Sequence, residues 1–340
     1  MPNYRVFYPI HYVALAPESA AGGAYVPVHG LQSVNMTTTF SLEQVFELGQ
    51  LDTYEAIENL PSVEMTLEKV LDGYPLIYHL ATRGATSKTL LNRTNRRADA
   101  VLSIFSDSQD NASGVPLTQV YCSGMYINSL NYSLPVQGSC TESVTLVGND
   151  KIWRTSSFLF NGHFTGGDSP ASGVQQRRHV RMGAAAAGGS VWPKFIPGMT
   201  VVNGSGYNIE AAGQYGAHVQ DVTLSVNLGR EDLFELGRAK PYFRYASFPV
   251  AVDTTINISP GGNNPGDAVN ADSSTTNLTN EPIAIRLADG TYFDLGNKNK
   301  LQSVTYSGGD TGGGVATVAY AFQNFNRLDI TAPSDPEGLV

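Results

Sequence analysis

The feature that most constrains this chain is an internal repeat. Residues 31–54, LQSVNMTTTFSLEQVFELGQLDTY, align with residues 219–242, VQDVTLSVNLGREDLFELGRAKPY. Phe46-Glu47-Leu48-Gly49 recurs as Phe234-Glu235-Leu236-Gly237, and no gap is needed from Gln32/Gln220 to Pro61/Pro249. Val34/Val222, Glu43/Glu231 and Tyr54/Tyr242 are identical, and Met36/Leu224, Thr37/Ser225 and Val45/Leu233 are conservative. A second block, 127–133 (INSLNYS), matches 301–307 (LQSVTYS) in the same order. Two blocks in one order around a variable middle mark a duplication, and such a repeat sets the architecture before any local reading.

With 340 residues there is room for two units that each bury a core. The repeat places them at 29–153 and 217–330. Around them lie an N-terminal arm (1–28), a linker or insertion (154–216, with GDSPASG, GAAAAGGS and WPKFIPG) and a C-terminal tail (331–340). Trp192 and Phe195 are expected to anchor the linker. Residues 34–40 and 222–228 alternate in the manner of strands. Ser41 and Gln44 then have capping-box spacing for a short helix, and Gly49 is placed to stop it in the left-handed conformation. Gly237 repeats that stop, while Gly229 replaces the cap; Phe46 and Leu48 read as core residues. Further strands are expected at 6–8, 11–13, 51–57, 63–70, 242–245, 250–258 and 315–322. Helices are expected from Pro75 to Ala81 and within 86–105, and a polar loop at 259–280.

Hydrophobic residues make up 41% and charged residues 15%, with a net charge of −9. An acidic chain has little attraction for a nucleic-acid backbone or an acidic membrane. No charged segment followed by an apolar run opens the chain, and no stretch approaches the roughly 20 apolar residues of a membrane span. Cys122 and Cys140 are too few for a metal site; free thiols are favoured, with a disulfide as the alternative.

A search for chemistry finds none. His163 and His179 lie near Asp168 without ligand spacing, there is no Gly-x-Ser-x-Gly elbow, and Gly204-Ser205-Gly206 lacks the lysine of a phosphate loop. The expectation is therefore no catalytic residue, no metal and no cofactor. Glu47 and Glu235 are repeat-equivalent, which points to the architecture of the repeat rather than to one active site.

Charge is segregated along the chain. From Glu43 to Asp72 the charged residues are all carboxylates except Lys69, and from Gly73 to Ala98 they are all basic. Residues 151–194 are again basic, with Asp168 the exception. Either these are solvated patches, or acidic and basic faces meet between copies of the chain, where they would set register and exclude wrong partners. On the second reading the contacts are Glu55, Glu58 and Glu64 against Arg83, Arg93, Arg96, Arg97, Arg177, Arg178 and Arg181.

The segments SLEQVFELGQLDTYEAIENLPSVEMTLEKVLDGYP and GREDLFELGRAKPYFRYASFPVAVDTTINI resemble the tail tube proteins of tailed bacteriophages. The resemblance implies a mainly β chain: two tandem β-sandwich or barrel domains, each with a short flanking helix. Tail tube subunits close into sixfold or pseudo-sixfold rings that stack into a hollow tube, through which the genome passes into the host. Most carry one domain per chain; two would make the ring a trimer. The partners implied are further copies of the chain, with sheath, baseplate and terminator proteins beyond them. DNA would pass the lumen without specific binding, in a virion tail assembled in the host cytoplasm. The rival readings are another ring of the tail (hub, initiator or terminator) and a two-domain carbohydrate-binding β-sandwich. Trp153 and Trp192 flank the linker rather than repeat positions, which weakens the last.

Overall fold

A computed structural model of the chain describes residues 6, 8–18, 25–106, 112, 114–159, 173–182, 188–193, 196, 218–260, 280–308, 316–333 and 335. Alternating β-branched and polar residues make it mainly β. The first half runs β1 (His11–Pro17), β2 (Val26–Pro27), β3 (Leu31–Thr39), β4 (Leu42–Phe46), β5 (Thr53–Glu58) and β6 (Ser62–Val70). Two short helices follow, α1 (Ile77–Ala81) and α2 (Leu90–Thr94), then β7 (Ala98–Ile104), β8 (Thr118–Pro135), β9 (Thr141–Gly148) and β10 (Ile152–Arg154). The second half runs β11 (His218–Asn227), β12 (Arg230–Leu233), β13 (Phe243–Ala246), β14 (Ala251–Ser259), β15 (Ala284–Arg286), β16 (Tyr292–Asp294), β17 (Lys300–Ser307), β18 (Thr317–Phe325) and β19 (Asp329–Thr331).

The main sheet has the order β3-β6-β9-β8-β11-β14-β18-β17, antiparallel throughout. Read by repeat, this is one pattern twice: β3-β6-β9-β8, then β11-β14-β18-β17. The irregularities repeat too. The register shift between Leu31 and Ser33 in β3 recurs between Val219 and Asp221 in β11. The shift between Ile127 and Ser129 in β8 recurs between Leu301 and Ser303 in β17. Bulges add local twist and bend a strand, and the two halves carry them at equivalent places.

The halves meet edge to edge. Strand β8, the last of the first group, pairs with β11, the first of the second, with Tyr132 opposite Leu224 and Asn131 opposite Ser225. Strand β8 is 18 residues long and serves a second sheet with its first half, where it pairs with β7 and β10. Beyond β7 lie β1 and β2. One face of the main sheet supplies the core, with Met65 and Leu67, Val144 and Leu146, Leu224 and Val226, Ile256 and Ile258, and Tyr320 and Phe322 in a single cluster across both repeats. Burying such side chains contributes about 1.5–3 kcal/mol each.

Several local expectations are corrected. The segment read as a short helix at 41–49 is the hairpin β4–β5, and its copy is the hairpin β12–β13. Leu42-Glu43-Gln44-Val45-Phe46 alternates, and Gly49 supplies a left-handed turn (φ 107°), as Gly237 does in the copy (φ 83°). Both glycines share that backbone region, but they close hairpins instead of stopping helices. Phe46 and Leu48 are not core residues: they are 62% and 104% exposed, matching Phe234 and Leu236 at 62% and 104%. Within 86–105 the helix is confined to α2, because the buried, β-branched run that follows is claimed by β7 between β1 and β8. The segment read as an arm contributes β1, paired with β7 along its length, while Tyr8–Ile10 is a 3-10 turn and no strand. Trp192 is buried as expected of an anchor. Phe195, His163, Asp168, the Gly204–Gly206 turn and residues 261–279 lie outside the described residues.

Candidate functional site

Opposite the core, the main sheet presents a second face built by the alternate residues of the same strands. It carries Thr37, Glu64, Thr66, Glu68, Thr145, Ser129, Asn131, Asp221, Thr223, Ser225, Asp253, Thr255 and Asn257. Cross-strand hydrogen bonds tie this surface together: Thr66 to Thr145 at 3.2 Å, Ser33 to Glu68 at 3.3 Å, Asn257 to Asp221 at 2.7 Å and Gln323 to Asp253 at 2.7 Å. Its charges are the carboxylates Glu64, Glu68, Asp221 and Asp253, with Lys300 at one margin. Small hydroxyls and amides with acidic charge give a surface that attracts no polyanion.

The margins of the sheet are β3 and β17, and among the described residues no strand pairs with the outer edge of either. Open edges invite pairing with another chain. Strand β3 is the repeat-equivalent of β11, and β17 of β8. The margins therefore repeat the two strands that already pair at the centre of the chain.

The hairpins differ in support. Hairpin β12–β13 leans across the β8–β11 junction onto the first repeat. Arg230 donates to the Ile127 carbonyl (2.9 Å) and to the Thr94 carbonyl, and its guanidinium lies 5.0 Å from the Tyr126 ring. Burial lowers that guanidinium to about 10, still cationic at neutral pH. Phe243 meets Tyr126 edge-on at 6.4 Å, and Arg244 bonds Asn149 (3.0 Å) and pairs with Asp232. Among the described residues hairpin β4–β5 shows no comparable support. Every residue of β5 is exposed, as are Leu42, Glu43, Gln44 and Phe46 in β4.

The structure sorts the charged candidates. Glu55, Glu58 and Glu64 are exposed, the first two on β5 and the third on the acidic face. Arg177, Arg178 and Arg181 are exposed around a 3-10 turn, Arg83 and Arg96 are half-buried, and Arg97 pairs with Glu18 at 2.6 Å. These are not gathered into one face. Arg93 is excluded as a contact between copies: it is wholly buried and paired with Asp335. Asp72, counted in the acidic run, is buried on Lys69 at 3.1 Å. Cys122 and Cys140 are free and buried, and burial raises both thiols to about 12. Among the described residues no cluster of His, Cys, Asp and Glu could hold a metal ion, and no helix is long and apolar enough to cross a membrane.

Sequence reasoning missed a buried polar group beneath α1. Glu142 accepts the backbone N–H groups of Ile77 (2.7 Å) and Tyr78 (3.0 Å) and the Tyr132 hydroxyl (2.9 Å), which fixes the start of α1. Burial raises its carboxyl above the usual range. His79 contacts the Ile330 carbonyl at 3.2 Å, and burial lowers it to about 4 despite the opposing pull of Asp335. A signal existed: Lys69 and Glu142 sit at the inward parity of strands whose other inward residues are apolar.

No family model matches the chain, and no curated protein matches it. Among solved structures, the tube-terminating cap of the anti-feeding prophage is similar at 14% identity and a TM-score of 0.34, over 46% of this chain and 95% of that one. A chain of the anti-feeding prophage baseplate is similar at 11% identity and a TM-score of 0.33, over 46% and 100%. A chain of the sheath–tube complex of an extracellular contractile injection system is similar at 12% identity and a TM-score of 0.33, over 46% and 95%.

Proposed function

We propose that this chain is a structural subunit of a phage-type tail tube. Copies join edge to edge into a ring, the acidic face of the main sheet lines the lumen, and rings stack into a hollow tube that conducts nucleic acid. The observation that carries the reading is the β8–β11 junction. It is a contact between two repeat-equivalent units, and the margins β17 and β3 are the same two strands left over. A contact of one edge with a different edge is heterologous, so it closes into a ring or runs on as a filament. Three copies supply six repeats, the number in the rings that the sequence resembles. No catalytic role, cofactor or metal is proposed; the lumen would work by repelling the polyanion it conducts.

The junction also specifies the register between copies. Leu224 faces Tyr132 and Ser225 faces Asn131 within the chain. Transferred through the repeat, Met36 of one copy faces Tyr306 of the next, and Thr37 faces Thr305. Paired Cα atoms in an antiparallel ladder lie about 4.5–5.5 Å apart, within reach of a disulfide. A Met36→Cys/Tyr306→Cys double variant should oxidise to covalent rings seen on a non-reducing gel. Electron microscopy of the unmodified protein should show hollow tubes of stacked threefold rings. Single rings that do not stack would favour a hub, initiator or terminator. A dispersed monomer with no cross-link would sink the ring.

A further inference from the structure

The two hairpins point to a docking site that the chain leaves open for another copy. Resting on the ring reading, we infer that hairpin β4–β5 of one subunit docks on the second repeat of its neighbour, as β12–β13 docks on the first repeat within the chain. The receiving surface is the groove bordered by Pro282, Asn297, Lys298, Asn324, Phe325 and Arg327.

The argument runs through equivalent positions. In the first repeat the hairpin touches Tyr126 of β8 and Asn149 just after β9, and Ser123, Gly124 and Gly148 line the space left beside it. The matched registers of β8 with β9 and of β17 with β18 carry these positions onto Asn297, Lys298, Lys300, Asn324 and Phe325. All but Lys300 border a groove of about 610 Å³, whereas with β12–β13 in place the first-repeat site retains a space of about 190 Å³. Among the described residues no hairpin occupies the larger groove. Phe325 is 56% exposed beside it.

The hairpins themselves superpose by register. Leu42 pairs with Glu58 and Val45 with Glu55 in the first; Arg230 pairs with Ala246 and Leu233 with Phe243 in the second. Glu55 thus stands where Phe243 does, and Lys300 where Tyr126 does. The edge-on aromatic contact inside the chain becomes a carboxylate facing an ammonium between chains. Ala56 replaces Arg244 and Phe325 replaces Asn149, so a polar bond becomes an apolar contact. Charge agrees with this pairing at one side of the groove: β4–β5 and its turn carry Glu43, Glu47, Asp52, Glu55 and Glu58 and no cation, while Lys298 lines the groove and Lys300 follows it in β17; Arg327, also in the lining, is already paired with Asp294 and Asp329. An isolated two-stranded hairpin is marginal in water, so β4–β5 needs such a seat to hold its form.

The test is a charge exchange in the full-length chain at two exposed positions, with urea unfolding of each variant to separate a loss of fold from a loss of docking. Glu55→Lys and Lys300→Glu should each raise the concentration needed for ring formation about tenfold per interface, and the double exchange should return it to that of the unmodified protein. Sedimentation and electron microscopy read the outcome. If the Met36→Cys/Tyr306→Cys rings form while both single exchanges assemble normally, or while the double exchange fails to recover, the docking site is overturned and the ring stands. If the unmodified chain forms no ring, both fall.

Discussion

Two hairpins of equal register, made from equivalent sequences, end in different situations. Hairpin β12–β13 is held by Arg230, Phe243 and Arg244 across a junction inside the chain. Hairpin β4–β5 has Leu42, Glu55 and Ala56 at those positions and stands in solvent. The difference does not lie in the hairpin fold, since both close on a left-handed glycine and both expose a leucine at the tip. It lies in what stands beside each strand group. Beyond β11 the second group has the first as a neighbour; beyond β3, among the described residues, no strand group stands. An exposed, unsupported element that copies a supported one is a statement about a missing neighbour.

The largest test removes the support on one side. Arg230→Ala strips the carbonyls of Thr94 and Ile127 of a charged donor and should cost about 2–4 kcal/mol in urea unfolding. Leu42→Ala, at the equivalent position, should leave the monomer within about 0.5 kcal/mol while weakening assembly. Equal losses of monomer stability would break the comparison.

Acid sharpens it by probing the buried polar groups around α1, away from the junction. His79, faced by Asp335, Arg93 and Lys69, is held neutral in the fold at about 4 against 6.5 when unfolded. Below 6.5 the unfolded chain takes up a proton that the fold refuses. Stability present above 6.5 is therefore lost as pH falls toward 4, by at most about 1.4 kcal/mol per pH unit. Glu142 works in the opposite direction, because its raised carboxyl takes a proton in the fold first. His79→Gln should flatten the slope of unfolding free energy against pH between 6.5 and 4. An unchanged slope would assign the acid loss elsewhere.

The smallest test concerns the tips. A Cβ at Gly49 or Gly237 meets nothing within 4 Å, so alanine there costs backbone strain alone, about 1–2 kcal/mol. In the assembled particle the two losses should agree; in the monomer Gly49→Ala should cost less, because β4–β5 contributes little to its fold. Circular dichroism melts of both forms would decide it.

Much of the fold was legible because strands advertise themselves through alternation. The segments at 63–70, 222–228 and 250–258 alternate, with inward sets that are apolar except for Lys69 and Thr254, and strands lie there, β11 starting earlier at His218. The FELG segment misled because Ser41, Gln44 and Gly49 have the spacing of helix signals, while the same glycine serves a hairpin turn. Short segments of this kind are decided by their neighbours rather than by their own propensity. The repeated sequence blocks were legible, but how the strands that carry them pair was not. Nothing in a one-dimensional alignment says that β8 of one unit pairs with β11 of the next. The docking groove was invisible for the same reason, since its lining comes from Val191, from 282–298 and from 324–327, stretches distant in sequence that strand pairing brings together.

The bulges carry one further consequence. A ring is a polygon, and it closes only if every unit turns the path by the same angle. In the proposed ring that turning would fall to the register shifts at Leu31/Ser33 and Ile127/Ser129, and again at Val219/Asp221 and Leu301/Ser303. Each half thus bends by its own copy of one instruction. Delete a residue at a single one of these four sites and the polygon acquires an unequal corner, so the path spirals past its starting point instead of meeting it.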